Sequence, residues 1–257
     1  MALLQVTGLG KRFGGLQAID DLSFEVQPGT VHAIIGPNGA GKTTLLNLLT
    51  GVYTPDAGRV VLGGRDLTGQ PTHRFAAAGL ARTFQNLQVF FNMTALENVM
   101  TGRHLHENRS LLTALMRLEP AVWAEHASRE RAAALMQRVG LAPWLGARAD
   151  AMPYGALKRL EIARALATEP KLLLLDEPAA GLNPTEAHEI DALIRGLAAE
   201  GMTVLLVEHN MALVMEVSDR VLVLDRGAKL AEGTPAEVSR DPLVIEAYLG
   251  AEEPADA

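Results

Sequence analysis

The residues best suited to chemistry form a glycine-rich segment, GPNGAGKT, at residues 36–43. It fits the pattern G-x-x-x-x-G-K-[ST] in full, so its backbone N–H groups can curl around phosphate oxygens. Lys42 would reach the β- and γ-phosphates, and the Thr43 hydroxyl can ligate magnesium. An apolar strand pattern, TVHAII, precedes the segment, and an apolar helix pattern, LLNLLT, follows it. This order predicts a nucleotide-binding loop, although the loop alone identifies no activity.

A pair of acids follows a second apolar run, KLLLLDEP, at residues 171–178. An acid at the end of a buried strand lies at the carboxyl edge of a parallel sheet, where ligands bind. Asp176 would then lie near a metal ion, and Glu177 could polarise a water for attack on the γ-phosphate. Alone, the pair could equally well begin a surface loop. Together with the phosphate-binding pattern, it favours phosphoryl chemistry.

Three further residues carry weaker signals when each is considered singly. His209 follows the apolar run TVLLV but has no neighbour at metal-ligand spacing, so a structural histidine is the commoner outcome. Gln85 follows ARTF, and most glutamines are simply solvated. Phe13, in KRFGG, is more typical of a core residue than of a platform for a nucleotide base.

The segment MPYGALKRLEIARAL, residues 152–166, predicts a helix with a special start. Leu160 and Ala163 recur on one side at helical spacing. Pro153 suits the first turn of a helix, and Gly155 has no side chain to block a close approach. Because a bare helix N-terminus attracts anions, this start predicts an anion site whose remaining groups must be found elsewhere.

The elements that must position these groups alternate between strands and helices. Apolar strands such as TVHAII, KLLLLD and TVLLVEH are separated by helices, which predicts a parallel sheet covered on both faces. Residues 4–26 predict short strands, and residues 56–67 and 220–233 predict hairpins. Two helix starts are predicted by capping patterns, Thr94 with Glu97 and Asn183 with Glu186. From about residue 86 to 160 the pattern is mainly helical, so we expect one domain over residues 1–250 with a helical insertion, and a flexible tail at 251–257.

The composition excludes several classes of function. The chain has 257 residues, a net charge of -7 and no cysteine. The acidic balance argues against non-specific nucleic-acid binding, and the lack of cysteine excludes disulfides, thiol catalysis and Cys-ligated zinc. The N-terminus lacks a signal-peptide pattern, and no apolar segment approaches the roughly 18 residues of a membrane span. We therefore expect a soluble protein of a reducing compartment.

In combination, the motifs resemble the ATP-binding subunits of ABC transporters. The segments RF, GPNGAGKTT, TFQN, PYGALKRLEIARAL, LLLLDEPAAGLNP and VEHNM occur in the family's order and span nearly the whole chain. The resemblance implies an α/β ATPase: a P-loop NTPase core with a mainly parallel sheet, an N-terminal antiparallel β subdomain and an inserted α-helical subdomain. It implies catalytic roles for Glu177, His209 and Gln85. A magnesium ion would be held by Thr43, Gln85 and Asp176. The residues implied to bind ATP are Phe13, Gly36, Pro37, Asn38, Gly39, Ala40, Gly41, Lys42, Thr43 and Thr44, with Tyr154, Gly155 and Ala156 binding the ATP of a partner.

The same resemblance assigns a role to residues 152–156, MPYGA, which we call the signature loop. In the family this loop faces the γ-phosphate of ATP held by a second subunit, so two chains enclose each nucleotide. The general pattern there is Leu-Ser-Gly-Gly-Gln. Pro153 replaces a serine that donates to phosphate, a loss of about 1.5–3 kcal/mol, and Ala156 lacks the usual polar side chain. We expect a weakened or asymmetric sandwich that still hydrolyses ATP.

Several features are similar to the larger ATPase of branched-chain amino-acid importers. They include the proline-tyrosine-glycine signature loop, Asn183 in GLNP, and the ending AEGTPAEVSRDPLVIEAYLG. The implied partners are integral-membrane permease subunits, a second ABC ATPase that is related or identical, and a periplasmic solute-binding protein, with no nucleic acid. The implied location is the cytoplasmic side of the inner membrane. Urea and amide importers and the lipopolysaccharide-export ATPase share part of this pattern, so the cargo stays open.

The sequence leaves two further questions open. The chain is either a hydrolysing motor or, because of Pro153 and Ala156, a nucleotide-gated clamp beside a sister subunit that does most of the hydrolysis. A cytosolic ABC protein of translation or DNA repair is disfavoured, because the chain has one motif set and no sustained heptads. Phe90, Phe91 and Met93 either fill the core of the insertion or receive a cytoplasmic helix of the permease.

Overall fold

The computed structural model describes residues 1–106 and 119–249. These residues form two compact units. The first unit contains residues 1–80, 171–177 and the chain from 191, and the second contains residues 81–170 and 178–190. The tail predicted at 251–257 lies outside the described residues, as does part of the predicted helical insertion, residues 107–118.

The N-terminal sheet of the first unit is antiparallel. Its strands are β1 (Leu4–Phe13), β2 (Leu16–Val26), β4 (Ala57–Leu62) and β5 (Arg65–Asp66), in the order β2-β1-β4-β5. Residues 4–26 form two long strands instead of the short strands that we predicted. The pairing of β1 with β2 shifts register between Val6 and Lys11, which interrupts the apolar alternation on which that prediction depended.

The second sheet is mainly parallel and has six strands. Its members are β3 (Val31–Ile35), β6 (Leu80–Arg82), β7 (Leu172–Asp176), β8 (Thr203–Val207), β9 (Arg220–Asp225) and β10 (Ala228–Gly233). Their order is β10-β9-β3-β8-β7-β6. Strand β3 is parallel to β8 and β9, β7 is parallel to β8, and β10 closes a hairpin with β9. Every residue of β3, β7 and β8 is buried, as expected for a parallel sheet covered on both faces.

Nine α-helices lie within the described residues. They are α1 (Lys42–Leu49), α2 (Thr72–Ala77), α3 (Ala95–Thr101), α4 (Glu119–Arg138), α5 (Tyr154–Leu166), α6 (Pro184–Ala199), α7 (Met211–Val217), α8 (Pro235–Val238) and α9 (Pro242–Leu249). Short 3-10 helices cover Gly102–His106, Ala142–Trp144 and Ala149–Ala151. Helices α3, α4 and α5 belong to the second unit. No helix among the described residues has both the length and the apolar character that a bilayer crossing requires.

Local sequence signals fix where the helices begin. Thr94 accepts a hydrogen bond from the Glu97 N–H, and the Glu97 carboxylate accepts one from the Thr94 N–H, so the predicted capping box before α3 is confirmed. Asn183 and Glu186 exchange the same pair of hydrogen bonds at the start of α6. Pro153 is the residue before α5, and its side chain makes no capping hydrogen bond there.

Candidate functional site

The phosphate loop, residues 36–43, connects β3 to α1. Gly36, Gly39 and Gly41 all have positive φ angles, of 153°, 80° and 100°. A side chain at Gly36 would overlap the Leu224 carbonyl, and one at Gly41 would come within 2.6 Å of the Ala18 carbonyl. Glycine is therefore required there by both conformation and space. Among residues 1–106 and 119–249, none lies within 4 Å of the position that a side chain would take at Gly39.

The loop ends in an uncapped helix N-terminus. Gly41 precedes α1 without a side-chain capping bond, and no acidic residue occupies the first turn. The N–H groups of that turn remain available to a ligand, and the helix dipole favours a negative charge. Thr43 is exposed and Thr44 half-buried, so both hydroxyls are accessible. This set of donors fits a polyphosphate.

The side chain of Lys42 folds back onto the phosphate loop. Its Nζ donates hydrogen bonds to the carbonyl oxygens of Gly36, at 2.6 Å, and Pro37, at 3.0 Å. Burial lowers the pKa of Lys42, while the negative charges of Glu177 and Asp176 oppose that shift. The lysine thus lies within the electrostatic reach of both acids predicted from KLLLLDEP.

Asp176 and Glu177 lie at the carboxyl end of β7, as predicted. Asp176 is buried and is the last residue of the strand, opposite Val207 in β8. The Glu177 N–H donates to the Val207 carbonyl at 2.9 Å. Glu177 also has a φ of 47°, which is uncommon for a residue with a side chain and costs conformational energy. A strained conformation held by a neighbouring strand is a frequent property of residues at functional sites.

His209 lies beside Glu177 in the first unit. Its Nδ1 atom is 3.7 Å from the Glu177 Oε1 atom, and its side chain is 64% exposed. The strand β8 ends two residues earlier, so this contact arises because β7 and β8 are neighbours in the sheet. The structure therefore brings together Lys42, Asp176, Glu177 and His209, which sequence analysis could group only by resemblance.

Phe13 lies on the surface of the first unit, at the end of β1. It is 42% exposed and packs edge-on against Tyr53, with 5.2 Å between the ring centroids. The Lys11 Nζ atom lies 5.5 Å from the centre of the same ring. An exposed ring supported in this way can offer a face to a nucleotide base.

Gln85 belongs to the second unit, in a segment of residues 84–93 that we call the glutamine loop. Two charged side chains of α5 hold this loop through its backbone. The Nζ of Lys158, a residue only 3% exposed, donates to the Gln85 carbonyl at 3.0 Å, and the Glu161 carboxylate accepts from the Gln88 N–H at 2.6 Å. Burial raises the pKa of Glu161, and the charge of Lys158 is among the groups that oppose this shift.

The signature loop lies at the start of α5, in the same unit. Tyr154 is 43% exposed, and a side-chain carbon added at Gly181 would lie 3.3 Å from its ring. Gly155 is buried against Glu186: a side-chain carbon added there would lie 2.5 Å from the Glu186 Oε1 atom. Ala156 is 1% exposed. Gly181 and Glu186, in the segment after Glu177, therefore lie close to the signature loop of the same chain.

The residues that hold these loops were not predicted from the sequence. Lys158 and Glu161 occur in LKRLEIAR, where a charged residue is usually taken for a solvated helix face. Their burial depends on the neighbouring loop, whose backbone groups need partners. One signal was available: both positions fall among apolar residues on the buried side of α5.

A phosphate loop follows the buried strand β3, and an acid pair lies at the end of β7 in the same parallel sheet. This combination is typical of P-loop nucleoside triphosphatases. Comparison with known proteins places the chain within that class. A family model described as "ABC transporter" matches residues 19–180, and one described as "Branched-chain amino acid ATP-binding cassette transporter" matches residues 228–254. The chain belongs to the ABC transporter family and is an ATP-hydrolysing subunit of that family.

Curated relatives match along almost their whole length. The chain is 45% identical to the "High-affinity branched-chain amino acid transport ATP-binding protein BraF" of Pseudomonas aeruginosa, with 96% of this chain and 98% of the relative covered. It is 44% identical, with the same coverage, to the "High-affinity branched-chain amino acid transport ATP-binding protein LivG" of Escherichia coli K12. A probable LivG of Archaeoglobus fulgidus is 34% identical, with 98% of this chain and 97% of the relative covered.

Solved structures confirm the fold. A nucleotide-free ATP-binding cassette from an ABC transporter superposes with a TM-score of 0.84 at 35% identity and covers 96% of this chain and 99% of its own. The ADP conformation of an ATP-binding cassette gives a TM-score of 0.85 at 36% identity, with 97% and 99% covered. The predicted α/β fold class and the resemblance to ABC ATPases are thereby confirmed.

Proposed function

We propose that this chain is the ATPase subunit of a branched-chain amino-acid importer. It would act at the cytoplasmic side of the membrane, docked on permease subunits and paired with a second ABC ATPase, in a system that includes a periplasmic solute-binding protein. The support comes from the relatives, which carry this transport function in their names over nearly the full length of the chain. The match of a branched-chain family model to residues 228–254 supports the same cargo.

One observation carries the enzymatic part of the proposal: the proximity of Glu177 to both Lys42 and His209. Lys42 would bind the β- and γ-phosphates from the loop, where its Nζ already occupies a site lined by carbonyl oxygens. The Glu177 carboxylate would accept the proton of the attacking water, and His209 would contact the γ-phosphate from the neighbouring strand.

Magnesium would be held by few protein groups. We assign it to the Thr43 hydroxyl and Asp176, because magnesium is usually bound by one or two carboxylates together with substrate phosphates and waters. When bound, the ion neutralises charge on the phosphates. Asp176 suits this role because it is a buried acid at the edge of the sheet where ligands bind.

Each ATP would be enclosed by two chains. Tyr154 is exposed, and the N-terminus of α5 has no side-chain cap, so the signature loop presents backbone donors at a surface. We propose that these donors and the helix dipole bind the γ-phosphate of ATP on a second subunit. Ala156 is 1% exposed as a whole residue, so the contact with a partner's ATP that the resemblance implies for it has no support from its exposure.

The glutamine loop would receive the permease. Phe90 and Phe91 are 47% and 48% exposed, which favours the docking interpretation over packing inside the helical unit. Asn98 fixes the Phe90 backbone by donating to its carbonyl at 3.0 Å and accepting from its N–H at 2.9 Å. A rigid backbone that carries exposed aromatic rings is suited to bind an apolar helix face.

The proposal is tested by reconstituting the chain with the membrane proteins that co-purify with it. Leucine uptake into proteoliposomes should require ATP and should stop with Lys42→Ala, because that substitution removes the cation that binds phosphate. Arg65→Ala, which removes an exposed cation of β5, is the matched control. ATP-driven uptake of urea without uptake of leucine, isoleucine or valine would contradict the assigned cargo.

The clamp alternative rests on the signature loop. Pro153 supplies no capping hydrogen bond and Ala156 has no exposed polar group, so the loop offers fewer donors than the general family pattern. Glu177→Gln placed in one ATPase subunit at a time separates the two hypotheses. If the substitution in this chain leaves transport intact while the same change in the sister subunit stops it, this chain is a clamp.

A further inference from the structure

The aromatic ring of Phe13 lies at the tip of a hairpin. Phe13 is the last residue of β1 and pairs with Leu16, the first residue of β2. Gly14 and Gly15 form the turn, and within the part of the chain that the structure describes no other residue lies within 4 Å of where a side chain would be at either glycine. Ordering a side chain costs conformational entropy, so a ring at such a tip needs contacts that hold it.

Tyr53 supplies one of these contacts. Its ring meets the ring of Phe13 edge-on, with an interplanar angle of 71° and 5.2 Å between the centroids. Aromatic pairs favour this arrangement, which stabilises them by more than their buried area alone. The two residues are 42% and 37% exposed, Phe13 the more so. Phe13 is thus held by a neighbouring ring and still has exposed area for a ligand.

The Asp56 carboxylate binds the end of β1 that carries this ring. Its Oδ1 atom accepts from the Lys11 Nζ at 2.9 Å, and its Oδ2 atom accepts from the Arg12 N–H at 2.8 Å. The same ammonium group lies 5.5 Å from the centre of the Phe13 ring, within the range of a cation–π attraction. Since Asp56 follows Tyr53 by three residues, one short segment holds both the strand end and its terminal ring.

Tyr53 is also bound to the helix that begins at the phosphate loop. The carbonyl of Asn47, in α1, accepts from the N–H groups of Val52 and Tyr53, at 2.9 and 3.0 Å. Helix α1 begins at Lys42. A single helix therefore connects the phosphate-binding lysine to the ring that supports Phe13.

We propose that Tyr53 is a positioning residue for nucleotide binding, whose ring holds Phe13 in the orientation that stacks on the base. Helix α1 would set the separation between that ring and the phosphate loop. The proposal rests on the nucleotide-binding roles proposed for Lys42 and Phe13 and is independent of the transported solute. Because Tyr53 acts through Phe13, it should affect recognition of the base and not of the phosphates.

The test compares Tyr53→Leu, which removes the aromatic ring, with Tyr53→Phe, which keeps it, in the full chain. Two ligands are titrated by calorimetry: a non-hydrolysable β,γ-imido analogue of ATP, and inorganic tripolyphosphate, which has no base. We expect Tyr53→Leu to weaken binding of the analogue by about 2- to 12-fold, the range for one aromatic pair, and to leave tripolyphosphate binding unchanged. Tyr53→Phe should bind both ligands as the wild type does.

Three further variants identify the route of the effect. In a Phe13→Ala chain, Tyr53→Leu should weaken binding no further, because the ring that it orients is absent. Val52→Ala, at the adjacent position, which is 50% exposed, should bind both ligands normally. Lys42→Ala should weaken both ligands, and an unchanged Kd in that variant would contradict the phosphate-loop assignment instead of the role of Tyr53.

Three results would overturn the proposal. One is equal binding of the ATP analogue by the Tyr53→Leu and wild-type chains. Another is equal weakening of both ligands by Tyr53→Leu, since the substitution would then act on the phosphate loop through α1. The third is an undiminished effect of Tyr53→Leu in the Phe13→Ala chain, which would show that the effect does not pass through the Phe13 ring.

Discussion

At the scale of single residues, the phosphate-binding chemistry was predictable because the motifs specify both the functional groups and their spacing along the chain. The glycines of the phosphate loop have backbone angles that other residues rarely adopt. The spacing of these glycines therefore makes the loop recognisable in the sequence. The backbone strain at Glu177 was not predictable, because no residue type in this segment indicates that a glutamate has a φ of 47°. The contact between Glu177 and His209 also needed the strand order, which single residues do not specify.

A buried histidine gives a prediction at this scale. His32 in β3 is 1% exposed, and burial lowers its pKa from 6.5 to about 4. The negative charge of Glu232 opposes this shift, whereas the positive charges of Arg220 and Lys229 add to it. The unfolded chain therefore binds more protons than the folded chain between about pH 4 and 6.5, so folding stability falls on acidification through this window. The expected loss of unfolding free energy between pH 7 and pH 5 is about 2 kcal/mol from this residue.

Urea denaturation at the two pH values measures that loss. His32→Leu should reduce the loss by about 2 kcal/mol, because the side chain that must gain a proton is gone. His73→Leu, a change at an exposed histidine, should keep the wild-type pH dependence. Equal pH dependence in the His32→Leu and wild-type chains would show that His32 is not buried in its neutral form.

At the scale of helices, strands and loops, sequence analysis succeeded where local rules decide. Capping boxes and apolar strands are such cases, and the starts of α3 and α6 follow from them. It failed where pairing across the sheet changes the pattern, as in the register shifts of β1. The supports of the glutamine and signature loops also escaped prediction, since Lys158 and Glu186 act on partners far away in sequence.

Gly155 provides a prediction for the signature loop. In Gly155→Ala the new methyl group would displace the Glu186 carboxylate and disturb the hydrogen bonds that begin α6. We expect a loss of about 0.5–2 kcal/mol in stability, the usual cost of a broken cap. If the loop completes the ATP site of a partner, ATP hydrolysis by the assembled pair should also fall at least about tenfold, equivalent to 1.4 kcal/mol in the barrier.

Gly146→Ala is the matched control, because none of the residues that the structure describes lies within 4 Å of the position that its new methyl group would take. Its melting temperature and hydrolysis rate should stay close to those of the wild type. Normal hydrolysis by assembled Gly155→Ala would show that the signature loop takes no part in the partner's site.

The glutamine loop gives a second prediction at this scale. Replacing Phe90 and Phe91 together by serine removes two exposed rings while Asn98 still holds the backbone of the loop. We expect ATP binding to persist and co-purification of the permease to drop several-fold, since buried aromatic anchors dominate such interfaces. Trp123→Ser, at a residue that is 74% exposed in α4, is the control. Undiminished recovery of the permease with the double variant would remove this surface from the interface.

At the scale of the whole molecule, the class of fold followed from the alternation of strands and helices, and the family followed from the order of the motifs. What the sequence could not supply is the grouping of the catalytic side chains. Lys42, Glu177 and His209 come from three separate parts of the chain and meet because β3, β8 and β7 are consecutive in the sheet. That strand order is a property of the folded chain, and the account of catalysis depends on it.

The most direct measurement is single-turnover ATP hydrolysis by the reconstituted transporter with Glu177→Gln in this chain, together with the amount of ATP retained. Glutamine keeps the size of the side chain but cannot accept the proton of the attacking water. We predict that hydrolysis at this site falls by about 10²- to 10⁴-fold while MgATP stays bound. Hydrolysis within twofold of the wild-type rate would contradict the assignment of Glu177 as the general base.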